Sequence, residues 1–217
     1  MADIFREVDE ALQQEKMAKI WKEYGSTILT ALVLLVVCTA AMTAYRSWDA
    51  SRNADETAKL LNAVNSEAPQ QEIMRVVEET RKGHAALGLM NAAAIYLQED
   101  KPEEAAKLYQ QLAQTKSMPK NLRDLGRILY VQHATQPNGD ILKPLLANEK
   151  SPWVWHARLQ AATIAAHQQQ DYAKALEYLS PFEDAETIPV SLKKRGEALA
   201  HVYQLKNSQK NNKEKTS

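Results

Sequence analysis

The chain has 217 residues, with 27 basic and 27 acidic side chains and therefore no formal net charge. That balance argues against nucleic acid as a partner, because phosphate backbones are bound by clustered cations. The single cysteine, Cys38, permits neither an intramolecular disulfide nor a thiolate metal site.

Six glycines, abundant Ala, Leu, Gln, Glu and Lys, and no sustained Val/Ile alternation outside one apolar run describe an all-α protein. Residues 1–24 form a charged head with four basic and six acidic side chains. Residues 25–45 are uncharged and mostly apolar. As a helix rising about 1.5 Å per residue, they span roughly 30 Å, the thickness of a bilayer's hydrocarbon core. Trp21 and Tyr24 on one side, with Tyr45 and Trp48 on the other, stand where amphipathic rings prefer the headgroup interface. The small residues Thr39-Ala40-Ala41 would admit signal cleavage, but the long acidic head and the continuation to Tyr45 favour a retained anchor. Lys16, Lys19 and Lys22 face Arg46, Arg52 and Lys59 across the span, a slight excess favouring a cytoplasmic N-terminus.

Residues 46–82 are expected to form a helical stalk and linker. Ala50, Ala54, Ala58, Leu61 and Val64 recur at helical spacing up to Ala68-Pro69, and a short helix over 72–82 ends at Gly83. Residues 83–205 then fall into paired helical segments: 84–98 with 103–114, 119–135 with 140–147, and 151–170 with 171–182. A last helix over 189–205 caps the stack. Pro102 suits a first helical position with Glu103 and Glu104 behind it, and Ser151 is an N-cap ahead of Pro152. The polar tail, 206–217, is expected to be disordered.

The pairs recur about every 34 residues, the period of tetratricopeptide repeats. Leu89-x-x-Ala92-Ala93-x-x-Tyr96 followed by Ala105-x-x-x-Tyr109-x-x-Leu112 fits that pattern well. Leu159-x-x-Ala162-Thr163-x-x-Ala166 followed by Asp171-Tyr172-x-x-Ala175-x-x-x-Leu179-x-x-Phe182 is a fair second match. The unit over 124–146 is degenerate, with a truncated second helix and Gly126 where a large apolar residue is usual. The expected fold is one transmembrane helix followed by an α-α superhelical, tetratricopeptide-like domain.

The head Asp3-Ile4-Phe5-Arg6-Glu7-Val8-Asp9-Glu10, the sequence Ile20-Trp21-Lys22-Glu23-Tyr24-Gly25, a span ending in Tyr45-Arg46-Ser47-Trp48, an alanine-rich stalk and degenerate repeats together resemble a known family. They are similar to the ancillary SecYEG translocon subunits, the YfgM-like proteins, over nearly the whole chain except the tail. The resemblance implies a single-pass inner-membrane protein with a cytoplasmic N-terminus and a periplasmic repeat domain. It also implies association with the Sec translocon and a membrane-anchored periplasmic chaperone, and a role in handling client polypeptides as they emerge. It carries over no catalytic residue, cofactor or metal.

No nucleotide, hydrolase or metalloprotease motif occurs. His156 and His167 share a helix face, but about 16 Å of helical rise separates them, too far for one metal. Glu78-Glu79 and Glu103-Glu104 are neighbours on solvated faces and not an opposed acid–base pair. Trp153 and Trp155 point in different directions; one is expected in the core and the other either packed or an exposed contact. First helices line the groove of a repeat stack, which places Met90, Ala94, Gln98, Arg127, Val131, Gln160, Ile164 and His167 near a partner-binding face. Repeats that grip chaperone C-terminal carboxylates carry Lys or Arg and Asn in these helices; Met90 and Ala94 occupy the relevant places, which disfavours that reading. The expected function is a non-enzymatic, membrane-tethered adaptor of the Sec machinery. The competing expectation is a scaffold for another envelope assembly, such as cell-division or respiratory-complex machinery.

Overall fold

In the computed structural model, which describes residues 2–184 and 188–215, every regular element is helical. Helix α1 (Ala2–Val64) continues without interruption through the apolar run, because neither Gly nor Pro occurs between Gly25 and Pro69. The chain divides into two compact units, Met1–Asp55 and Glu56–Ser217.

The first unit has no buried apolar cluster among its described residues. Its apolar side chains from Ile28 to Val37 lie on the surface, and none of the most apolar eighteen-residue stretch is buried. Thr30, Thr39 and Thr43 donate their hydroxyls to the carbonyls of Ser26, Leu35 and Thr39 at 2.8, 2.8 and 2.9 Å. These bonds satisfy the hydroxyls within the helix, as a medium without water requires. This is a helix long and apolar enough to cross a membrane.

The second unit begins inside α1. Leu60 and Ala63 from its last turns join Ile73, Val76 and Val77 of α2 (Pro69–Glu79) against α3 (Lys82–Gln98), where Ala85, Ala86, Leu89 and Ala92 are buried. The packed domain therefore starts at Glu56, and not at residue 83 as the stalk-and-linker expectation has it. Gly83 does not end a helix; it lies in the first turn of α3, with nothing within 4 Å of a Cβ placed there.

Helix α4 (Pro102–Gln114) packs on α3, and α5 (Lys120–His133) packs on α4. The α3–α4 connection places Asp100 at a φ of 58°, and the Lys101 N–H closes onto the Tyr96 carbonyl at 2.8 Å. Asp accepts this left-handed geometry more readily than most side chains, and Pro102 then starts α4. Gly126 also acquires a physical role. A Cβ there would sit 3.0 Å from the Tyr109 carbonyl oxygen and 3.1 Å from Leu112 Cγ, so the missing side chain lets α5 approach the α4 backbone.

Residues 140–147 are not one helix. A 3-10 turn (Gly139–Leu142) precedes the single-turn α6 (Lys143–Leu146), with Pro144 in its first turn. Helix α7 (Val154–His167) starts later than the Ser151-Pro152 cap predicts, although Ser151 Oγ still accepts the Trp153 N–H at 3.3 Å. Helix α8 (Tyr172–Leu179) begins at Asp171, whose carboxylate accepts the Lys174 N–H at 2.9 Å. It stops before Pro181, which lacks the N–H needed to continue, and α9 (Pro181–Asp184) follows.

Helix α10 (Val190–Lys215) extends ten residues beyond the predicted Leu205 end, so residues 206–215 are helical and not disordered; residues 216–217 lie outside the described residues. No Gly or Pro breaks the segment, and it has tertiary contacts: Lys206 Nζ lies 5.9 Å above the Tyr172 ring and Lys210 Nζ donates to the Gln170 carbonyl at 3.1 Å. Tyr203 of α10 is buried with Leu159, Ala162, Ala166, Ala175, Leu179 and Phe182, the residues of the second repeat match.

Candidate functional site

Three places in the chain carry recognisable chemistry. The first is the apolar part of α1. Trp21, Tyr24, Tyr45 and Trp48 are 65, 53, 62 and 56% exposed, so all four rings are available to a surrounding medium. Trp21 lies over Gly25, where a Cβ would meet two of its ring carbons at 3.4 Å. Tyr45 and Trp48 pair with ring centroids 6.2 Å apart, and the Arg52 guanidinium lies 5.5 Å from the Trp48 ring. An apolar band bounded by amphipathic rings and a cation is the pattern that bilayer interfaces select.

The second place is a polar clasp at the start of the packed unit. Glu56 is buried, and its carboxylate accepts the Arg81 Nε–H at 3.1 and 3.0 Å and lies 2.8 Å from His84 Nδ1. His84 Nε2 lies 3.2 Å from Thr57 Oγ1. Burial pushes the Glu56 carboxyl upward, but the Arg81 hydrogen bond and the charges of Arg81 and His84 outweigh it and hold the group below its ordinary 4.5. A carboxylate, an imidazole and a hydroxyl in a row resemble a hydrolase relay. Here, however, the carboxylate is saturated by Arg81, and the clasp joins the end of α1 to the start of α3. Its chemistry is that of a charged staple. Separations of 25 and 28 residues gave the sequence no local pattern in which to see it.

The third place is a cleft of about 250 Å³ between the 139–146 segment and helices α7 and α8. Leu146, Ala161, Ile164 and Ala165 give it apolar walls, and Asn138, Gln169, Lys174 and Tyr178 give it polar ones. Asp140 and Lys143 also line it and pair with each other at 3.0 Å.

The predicted partner-binding residues are dispersed over these elements. Val131 and Ile164 are both buried in one apolar cluster with Ile128, Leu142, Leu145 and Ala157. Ile164 alone of the eight lines the cleft. Met90 packs against the first core beside Leu89, while Ala94 and Gln98 are exposed on α3. Arg127 pairs with the buried Asp124, which also accepts Lys120 Nζ at 3.1 Å. Gln160 is half-buried, and exposed His167 meets the Tyr203 ring edge-on at 6.2 Å. The two tryptophans are both half-buried: Trp153 meets His156 at 5.7 Å and Trp155 meets Phe182 at 5.0 Å. Lys174 and Tyr178 lie on the second helix α8 and Asn138 in a turn, outside the first helices that line the groove of a repeat stack, so the repeat pattern does not point to them.

Among the described residues no group of three or more His, Cys, Asp or Glu side chains is placed to hold a metal ion. Comparison with family models, with characterised proteins and with solved structures gave no match.

Proposed function

We propose that this chain is a membrane-tethered, non-enzymatic docking protein whose helical domain receives polypeptides beside a membrane. The observation that carries the proposal is the contrast in α1. A stretch of exposed apolar side chains bounded by aromatic rings leads into a domain that buries its own apolar residues in layered helices. Tethering raises the local concentration of a weak binding surface near its target without requiring high intrinsic affinity.

The α3–α4 and α7–α8 hairpins bury the small and large residues of the repeat pattern, which supports a tetratricopeptide-like arrangement of this domain. With the resemblance to the YfgM-like subunits, the proposed setting is the bacterial inner membrane, with the N-terminus cytoplasmic and the helical domain periplasmic. The proposed partners are the Sec translocon, a membrane-anchored periplasmic chaperone and client polypeptides.

Crosslinking in intact membranes, followed by gentle solubilisation and identification of the captured proteins, tests this function. Translocon components are expected to be recovered, and recovery should fall when residues 56–217 are deleted. Enrichment of a cell-division or respiratory assembly instead would replace the Sec assignment by the scaffold alternative. Protease added to spheroplasts is expected to digest the helical domain, and protection of the domain would reverse the orientation.

A further inference from the structure

Helix α10 differs in charge from the rest of a chain that is neutral as a whole. Over 190–215 the sequence holds seven basic and two acidic side chains. One side of the helix is committed to the fold. Leu192, Leu199 and Ala200 pack with buried Tyr203 against the second core, and a Cβ on Gly196 would run into the Phe182 ring. The outward side carries two rows at helical spacing, Lys194, Ala198 and Leu205, and next to them Arg195, Val202 and Lys206. All six are exposed. Lys194 and Arg195 pair with no carboxylate among the described residues. Lys206 and Lys210 meet neutral partners, the Tyr172 ring and the Gln170 carbonyl, so these contacts leave their charge uncancelled.

We propose that this face of α10 binds an anionic lipid surface. Charge complementarity selects a negative partner, and clustered Lys and Arg side chains are drawn to acidic headgroups. The apolar side chains between the cations select further. Ala198, Val202 and Leu205 find a counterpart at the headgroup–acyl boundary, which a nucleic acid does not offer. A polypeptide is better held by a groove, and this face is the convex side of one helix; α10 lends no residue to the cleft beside α7 and α8 or to the one beside Tyr130. The apolar span of α1 also makes lipid the negative surface at highest local concentration. The contact adds a reversible, salt-sensitive hold to the permanent one of the span. The inference rests on the membrane tether proposed above and adds a second partner for the domain.

The test uses the full-length protein in phosphatidylcholine nanodiscs, with Cys38→Ser and an environment-sensitive fluorophore on Ala198→Cys. Vesicles of phosphatidylglycerol or of phosphatidylcholine are then added. The emission is expected to shift to the blue with phosphatidylglycerol and to stay unchanged with phosphatidylcholine. Molar salt, which shortens the Debye length to about 3 Å, is expected to abolish the shift. Lys194→Gln with Lys206→Gln should lose most of it, whereas Lys116→Gln with Lys150→Gln, two exposed lysines elsewhere in the domain, should keep it. Circular dichroism melts check that both double variants fold. No shift with either vesicle, or the same shift with both, would overturn the lipid contact while leaving the tether in place. A shift evoked by polyglutamate and not by the vesicles would replace lipid by an acidic polypeptide. Failure of the chain to enter nanodiscs would overturn the tether and this contact together.

Discussion

Leu34 and Leu89 carry the same side chain and both lie in α-helices, yet Leu34 keeps 61% of its surface and Leu89 keeps none. Around Leu34 the helix satisfies its hydroxyls on its own backbone and presents its apolar surface outward. Around Leu89 the same kind of surface is consumed by Ile73, Val77 and Ala92. One apolar surface is suited to lipid, where helix formation is enforced by the absence of water. The other is suited to water, where a helix this short gains most of its stability from packing. The contrast teaches that hydrophobicity in this chain has two uses. Substitutions at equivalent residues should separate them.

The largest separation comes from charge. Leu34→Arg with Val37→Arg puts two cations into the middle of the apolar run, each opposed by about 2.5–3.5 kcal/mol at the centre of a bilayer. Most of the protein is expected to leave carbonate-washed membranes, with the folded domain unaltered in its circular dichroism. Retention of the double variant in the membrane fraction would remove the basis for anchoring. Truncation sharpens the same contrast. Leu89→Ala should destabilise the domain by about 2–5 kcal/mol through the cavity it leaves, while Leu34→Ala should leave the unfolding midpoint unchanged in thermal melts of the solubilised protein.

Legibility in the sequence divides along the same line. The apolar run was readable because its evidence is local, twenty-one uncharged residues in a row over 25–45, and lipid asks nothing further of the side chains. The hairpins were readable where small residues recur, as at Ala92, Ala93, Ala105 and Ala175, all fully buried. Gly126 was read as a defect of the repeat, because spacing cannot show that Tyr109 and Ala113 bring their backbone against it. Tail composition also misled: the polarity of residues 206–215 hid a helix stabilised by contacts from Lys206 and Lys210 to residues more than thirty positions earlier. The Glu56–Arg81–His84 clasp and the cleft beside Lys174 were invisible for the same reason. Each assembles side chains from different helices.

Glycines give a smaller contrast, within the domain alone. Gly126→Ala places a methyl 3.0 Å from the Tyr109 carbonyl oxygen and 3.2 Å from the Ala113 nitrogen, backbone atoms that cannot swing aside. Helices α4 and α5 must separate, at a loss of about 1–3 kcal/mol. Gly83→Ala meets open space in the first turn of α3, so it should stabilise by up to about 1 kcal/mol through helix propensity. Opposite signs in chemical denaturation would uphold the close α4–α5 contact, and equal effects would discard it.

The smallest effect belongs to the clasp, and its pH dependence identifies it. Glu56→Gln keeps the shape of the side chain but loses the charge that Arg81 and His84 face, which should lower stability by about 1 kcal/mol at neutral pH. The folded carboxyl lies below its ordinary 4.5, so its contribution is fully present above that value and is lost as the pH falls through the folded pKa. The difference between wild type and variant should therefore be flat from pH 7 down to about 5 and shrink below 4.5. His133 and His156 also add a pH dependence of their own. Burial holds both below their ordinary 6.5, with the Arg195 charge adding to the effect at His156, so stability falls as the pH drops below 6.5. Both histidines are present in each protein, and their contribution cancels in the difference. Denaturant melts of the two proteins between pH 3 and 7 measure it. A difference that stayed flat down to pH 3 would remove Glu56 as the group whose ionisation holds the clasp.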